Sequence, residues 1–388
     1  MRVVIAPDSF SGTLTSPAAA EALAVGWRRH APDDDLDLCP LSDGGQGFVD
    51  ALAAGLDGRL IPLEVTGPAG FPALAVLFVT TEKSGQVTAY LESAQACGLD
   101  LVPPAERDPG TATSTGLGTL IAAALEAGAT RIVVGVGGVA TNDGGAGLLA
   151  GLATALGLPG AQALAGRLTG GVTALRGITP ADLEVLNPLR ERLAGIELVA
   201  ATDSDVVLLG FKGVSALHAA AKGATPEQAQ ELDLALADFA RAAVDATAQP
   251  QKLVALAGAG AGGGLGFGLF LLGATREIGA VLVADAVGLS RRLAGAGVVV
   301  TGEGNLDWES LRGTVITAVA RLAQEQAVPT VAVAGQIQVG RRELLTVGVE
   351  SAYPVARNPA EVRASLADPA GRLADRAQRV ARTWSPRR

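Results

Sequence analysis

A chain of 388 residues is longer than one hydrophobic core usually fills, so two domains are expected. Its net charge of −9, carried without any stripe of Lys and Arg, excludes a nucleic-acid partner, and no apolar run approaches the roughly 20 residues of a membrane span. Cys39 and Cys97 are too far apart for a disulfide framework or a zinc site and read as reduced core thiols, while His30 and His218 leave most acid–base work to carboxylates.

The opening Met-Arg-Val-Val-Ile-Ala-Pro-Asp has no signal-peptide pattern, and a cytoplasmic protein is expected. Val3 to Ala6 is the first predicted strand and Pro7 to Thr15 its loop. Ser16 to His30 then reads as an amphipathic helix with Ser16 as N-cap and Pro17 at the first helical position. Extended segments follow at Ile61 to Thr66 and Ala73 to Leu91. A strand at Arg131 to Val136 runs into a glycine loop, and a charged helix spans Thr225 to Ala248. Strands return at Val298 to Thr301, Thr330 to Ala334 and Ala352 to Val355, and Trp384 to Arg388 reads as a frayed end. Apolar runs alternating with Ala-rich helical segments are the mark of parallel sheets, so the fold class is α/β. The division expected is a discontinuous parallel-sheet, flavodoxin- or Rossmann-like domain of residues 1–65 with 285–388, and a second α/β domain of residues 66–284.

Glycine-rich loops holding carboxylates follow several of these strands, which is where open α/β sheets bind ligands. Asp8-Ser9-Phe10-Ser11-Gly12-Thr13 precedes a helix N-terminus suited to an anion, or is a plain helix cap. Ser42-Asp43-Gly44-Gly45-Gln46-Gly47 permits close approach of a ligand to the backbone, or is a tight turn. In Gly135-Val136-Gly137-Gly138-Val139-Ala140-Thr141-Asn142-Asp143-Gly144-Gly145, Ala140 breaks the dinucleotide fingerprint. That loop leaves Asn142 and backbone amides to cradle phosphate and Asp143 to hold Mg²⁺ or act as a base. Thr301-Gly302-Glu303-Gly304-Asn305-Leu306-Asp307 places two carboxylates at what reads as a loop-to-helix junction, able to ligate Mg²⁺ or divide the duties of base and ligand, although Glu303 could also simply cap the helix. The run Gly258 to Gly266 is too glycine-dense for a helix interior and reads as a phosphate-facing loop or a hinge, and no Walker A pattern is present.

These segments resemble the bacterial glycerate kinase family in order along nearly the whole chain: VVIAPDSF, SDGGQG, ES followed by GLDLVP, GVGGVATNDGGAG, KGAT, GAGAGGGLGFG and TGEG with Asp307. The resemblance implies a two-domain kinase that uses ATP and Mg²⁺ to phosphorylate a hydroxyl of D-glycerate or a related small hydroxy acid, with its active site in the cleft between domains. Carried over by position, Asp8, Asp43, Asp143, Asp203 and Glu303 become candidate catalytic residues. Ser9, Gly137, Gly138, Asn142, Gly262, Gly263, Gly302 and Gly304 become candidate nucleotide-binding residues, and Asp203, Glu303 and Asp307 candidate metal ligands. A homodimer is the assembly to be tested. The family has Lys at the positions of Ser11 and Thr314, Glu at Gln46, Ser at Val139 and Arg at Asn305 and Ala216; it has Asn at Lys212 and Asn-Pro at Val206-Val207. Lys212 and Lys222 are the residues able to restore cationic charge. Two readings stay open at this level: a working kinase, or a catalytically impaired paralogue that binds a ligand or partner.

Overall fold

The computed structural model describes residues 1–10 and 12–385; Ser11 lies outside the described residues. The chain divides into two compact units, a terminal one of Met1–Asp57 with Ile278–Arg388 and a central one of Gly58–Glu277. Among the described residues, eleven strands run in chain order as β1 (Arg2–Ile5), β2 (Asp35–Leu38), β3 (Arg59–Thr66), β4 (Pro72–Thr81), β5 (Val87–Glu92), β6 (Arg131–Gly135), β7 (Glu197–Ala201), β8 (Thr275–Glu277), β9 (Val298–Leu306), β10 (Thr330–Ile337) and β11 (Val349–Pro354). No helix among the described residues is long and apolar enough to cross a membrane.

The terminal unit is built on a parallel sheet in the order β11-β10-β9-β1-β2. Its inner strands β1, β9 and β10 are buried on both faces along most of their length, as parallel strands flanked by helices must be, while the edge strands β2 and β11 are only partly covered. Val331 and Val333 of β10 join Val3, Ile5, Trp27 and Val380 in one core, while Ala332 and Ala334 face the other way into a core with Leu306, Ile316 and Leu344. The first helix is Ser16–Arg28, with Thr15 as its N-cap in place of Ser16. Thr15 is extended, and its hydroxyl accepts the Ala18 N–H at 3.3 Å. Ser16 is already helical, and its hydroxyl is buried without a partner. Trp384 is not frayed: it ends the helix Pro369–Trp384 and donates its indole N–H to the Tyr353 hydroxyl at 3.1 Å. Residues 386–388 lie outside the described residues.

The central unit carries a mixed sheet in the order β3-β4-β5-β6-β7-β8, antiparallel from β3 to β5 and parallel from β5 to β8. β3 is paired with β4 along its whole length, so residues 59–65 belong with the central sheet. The charged helix is Pro226–Ala246, opened by a capping box in which Thr225 and Gln228 satisfy each other's backbone N–H groups. Its buried stripe includes Leu232, Leu236 and Phe239, and Phe239 meets Phe267 edge to face at 6.0 Å. The glycine run Gly258 to Gly266, read from composition as a loop or a hinge, is irregular over most of its length, with turns at 258–260 and a kink after them. Gly262 to Gly264 turn through positive φ, and Leu265 to Leu271 then continue as a buried helix. Cys39 and Cys97 are both buried and free, and burial pushes the Cys39 thiol up to about 12.

Candidate active site

In the terminal sheet the chain first moves from β1 to β2 on one side and later returns at β9 on the other. β1 and β9 therefore flank a topological switch point, where the loops beyond the strand ends part and leave room for a ligand. Asp8 follows β1, and its N–H donates to the Gly302 carbonyl on β9 at 2.8 Å. Its own carboxylate accepts the Ser9 N–H at 2.6 Å. Asp43 lies in the loop after β2, where its Oδ1 accepts the Gly45 N–H at 2.8 Å just before the helix Phe48–Gly55.

Glu303 departs from its expected setting. β9 does not stop at Thr301; it continues to Leu306, and Gly302, Glu303 and Asn305 pair in register with Val333, Ala334 and Gln336 of β10. Gly302 and Gly304 therefore lie in a strand, and Glu303 caps no helix. A side chain at Gly302 would run into the Val333 carbonyl, so the strands close up here only around glycine. Glu303 is half-buried, and its Oε1 is enclosed without a partner. Burial, with smaller contributions from the charges of Asp307 and Asp43, raises its pKa to about 7, against a hydrogen bond from Ser310.

Asp307 is occupied by its own turn, accepting the Glu309 N–H at 2.8 Å and the Asn305 side-chain amide at 2.7 Å. Asp203 belongs to the central unit, and among the described residues no three His, Cys, Asp or Glu side chains gather closely enough to hold a metal ion.

In the central unit the loops after β5, β6 and β7 leave the same edge of the sheet, since those strands are parallel neighbours. Asp143 is fully buried there and accepts from the Ser114 N–H and hydroxyl and from the Gly145 and Gly147 N–H groups, all between 2.8 and 3.1 Å. Burial raises its pKa against those bonds. Its carboxylate pins three backbone N–H groups in two segments, and both oxygens already accept hydrogen bonds, which is the geometry of an anchor. Asn142 is also fully buried; its amide donates to the Ser215 hydroxyl at 2.9 Å, and its Oδ1 is unpartnered.

Gly137 is tied to Ser93 through a hydroxyl that accepts its N–H at 3.2 Å, whereas Gly138 is exposed with φ of 65°. Gly262 and Gly263 are not an open cradle. A side chain on Gly263 would strike the Thr141 carbonyl and come within 3.0 Å of Lys222 Nζ, and one on Gly262 would strike Val136. These glycines make room for protein chain.

Two cations that sequence reading underweights or misses lie here. Lys222 is buried, donates to the Thr141 carbonyl at 2.6 Å, and is driven by burial down to about 8 despite the nearby Asp143 carboxylate. Arg276 on β8 donates to the Asp203 carbonyl at 3.1 Å and keeps a buried Nε without a partner. No motif announces Arg276; only the β7–β8 pairing brings it beside Asp203. Of the positions where the family carries a cation, Thr314 is the N-cap of the helix Val315–Glu325 and Asn305 bonds to Asp307 and Gln338, so both have taken local structural duties.

An α/β fold with carboxylates at a switch point on one sheet and cations at the strand ends of another suits a phosphotransferase that acts on a small molecule. Comparison with known proteins bears this out. A sequence model of the glycerate kinase family matches residues 3–385. The chain is 37% identical over 382 residues to glycerate kinase of Haemophilus influenzae, covering 98% of each chain. It is also 37% identical over 337 residues to glycerate 2-kinase of Escherichia coli, covering 87% of this chain and 86% of the relative. A solved structure from Salmonella typhimurium LT2, assigned as glycerate kinase 2, superposes with a TM-score of 0.76 at 34% identity, covering 99% of this chain and 98% of that one. The chain belongs to the glycerate kinase family, and it is a kinase-like phosphotransferase.

Proposed function

We propose that the protein is a cytoplasmic enzyme that transfers the γ-phosphoryl group of ATP to a hydroxyl of D-glycerate or a closely related hydroxy acid. The observation that carries this reading is the Glu303 carboxyl, poised near pH 7 on a strand at the switch point, with Asp8 and Asp43 on the adjoining loops. A general base works best when its pKa lies near the working pH, and Glu303 is assigned the proton of the attacking hydroxyl.

Phosphoryl transfer otherwise needs positioning and charge neutralisation. Arg276, with its unpartnered Nε, and Lys222 are assigned to phosphate oxygens, where Arg offers the stronger directional contact. Mg²⁺ in such enzymes is held by one or two carboxylates together with substrate phosphates. Asp43 is the carboxylate suited to it, and the ion would neutralise charge on the transferring group.

ADP release by purified protein with ATP, Mg²⁺ and a panel of hydroxy acids tests the reading, with the product identified by phosphorus NMR. Turnover is expected with D-glycerate, and Arg276→Ala is expected to lower kcat/KM by about 10²-fold or more. Turnover indistinguishable from a protein-free blank across the panel would refute it.

A further inference from the structure

The helix Pro369–Trp384 of the terminal unit carries Arg372, Arg376 and Arg379 at positions i, i+4 and i+7, along one face beside its buried stripe of Leu373, Ala377 and Val380. Arg357, in the segment after β11, joins them around a recess of about 170 Å³. None of the four guanidinium groups makes an ion pair or hydrogen bond with any described residue. The two carboxylates lining the same recess are already engaged: Asp375 pairs with Arg29 at 2.9 Å, and Glu361 accepts the Arg357 backbone N–H at 2.7 Å. Like charges three and four residues apart on a helix repel, and the chain as a whole is acidic, so four unpaired arginines converge here against the general charge balance. Arg376 registers the crowding: burial, then Arg357 and Arg379, lower its pKa, with Glu361 acting in the opposite direction.

β11 is the edge strand, separated from β1 and its neighbour β9 by β10, so this recess lies apart from the carboxylates at the switch point. We propose that the recess bounded by Arg357, Arg372, Arg376 and Arg379 binds a small polyvalent oxyanion of the phosphate class. Guanidinium forks match such oxygens in pairs, and a volume worth about five waters admits one or two phosphate groups and no larger polymer.

The probes are inorganic pyrophosphate and glycerol phosphate, each compared with chloride at equal ionic strength and titrated into the full-length protein by calorimetry. Unfolding is followed by tryptophan fluorescence, which reports on the terminal unit because Trp27, Trp308 and Trp384 all lie within it. Pyrophosphate is expected to raise the unfolding temperature beyond chloride. Arg372→Gln/Arg379→Gln, and separately Arg357→Gln on a different element, should each weaken its affinity about tenfold or more while leaving kinase turnover unchanged. Without anion the double variant should be at least as stable as the parent, since a repulsion has been relieved. Tighter binding of glycerol phosphate than of pyrophosphate would identify the ligand as a phosphate ester, and the reverse order as a free inorganic ion. Equal pyrophosphate affinity in parent and both variants, or a parent response no greater than to chloride, would overturn the proposal.

Discussion

Replacing Glu303 by Gln keeps the size of the side chain on β9 and removes its proton equilibrium. In the native protein this carboxyl titrates at about 7, against 4.5 for a free glutamate, chiefly because the charged form is desolvated. A pKa raised on folding stabilises the native state fully below about 4.5, and that stabilisation is lost as pH rises through about 7. The gap corresponds to a ceiling of about 3 kcal/mol. Below pH 4.5 the protonated acid and the amide are close equivalents, so parent and Glu303→Gln should unfold alike. At pH 8 the variant should be the more stable by up to about 3 kcal/mol. Urea unfolding followed by tryptophan fluorescence isolates this effect, because every tryptophan is in the terminal unit. In turnover the same variant should fall by about 10²-fold or more, and the acidic limb of the parent's kcat/KM profile, with its midpoint near 7, should disappear. A stability difference that stays constant from pH 4.5 to 8 would refute the assignment of the raised pKa, whatever happens to the rate.

Asp143→Ala leaves the buried N–H groups of Ser114, Gly145 and Gly147 without their acceptor and should cost about 3–5 kcal/mol, measured as a lowered urea midpoint by circular dichroism. Lys222 sits near 8 in the native state against 10.5 when free, so the stability of the parent relative to Lys222→Met should rise by up to about 3 kcal/mol between pH 8 and 10.5, the buried thiols titrating alike in both proteins. Gly302→Ala forces β9 away from the Val333 carbonyl and should destabilise the terminal unit by about 1–3 kcal/mol, seen as a lower unfolding temperature by tryptophan fluorescence.

The parallel frame and the loops that follow its strands were legible in the sequence, because short β-branched runs alternating with Ala-rich segments have few other solutions. What was not legible depends on partners far away in the chain. Thr301-Gly302-Glu303-Gly304 has the local composition of a turn, yet pairing with β10 holds it as strand, and tertiary pairing outweighs local preference. Gly266 and Gly268 are poor helix formers sitting in a buried helix, which packing against neighbouring backbone explains and composition does not. Asp143 was read as reactive because it stands in a glycine loop; Ser114, 29 residues earlier, turns it inward. Thr15 and Ser16 are both good caps, and burial of the Ser16 hydroxyl decides between them. The arginine face of the last helix was open to inspection in the spacing of 372, 376 and 379, but only the fold adds Arg357.

Because Glu303 projects from a hydrogen-bonded ladder, it moves only when the sheet moves. Thr301 and Glu303, two residues apart, share a face of that ladder, so a one-residue slip would exchange the acid for a glycine. The reach of the acid is thereby fixed by strand register. On the role proposed for Glu303, adaptation to a longer or bulkier acceptor would have to come from the loops that carry Ser9 and Gly45–Gly47, since a paired strand shifts only by whole register steps.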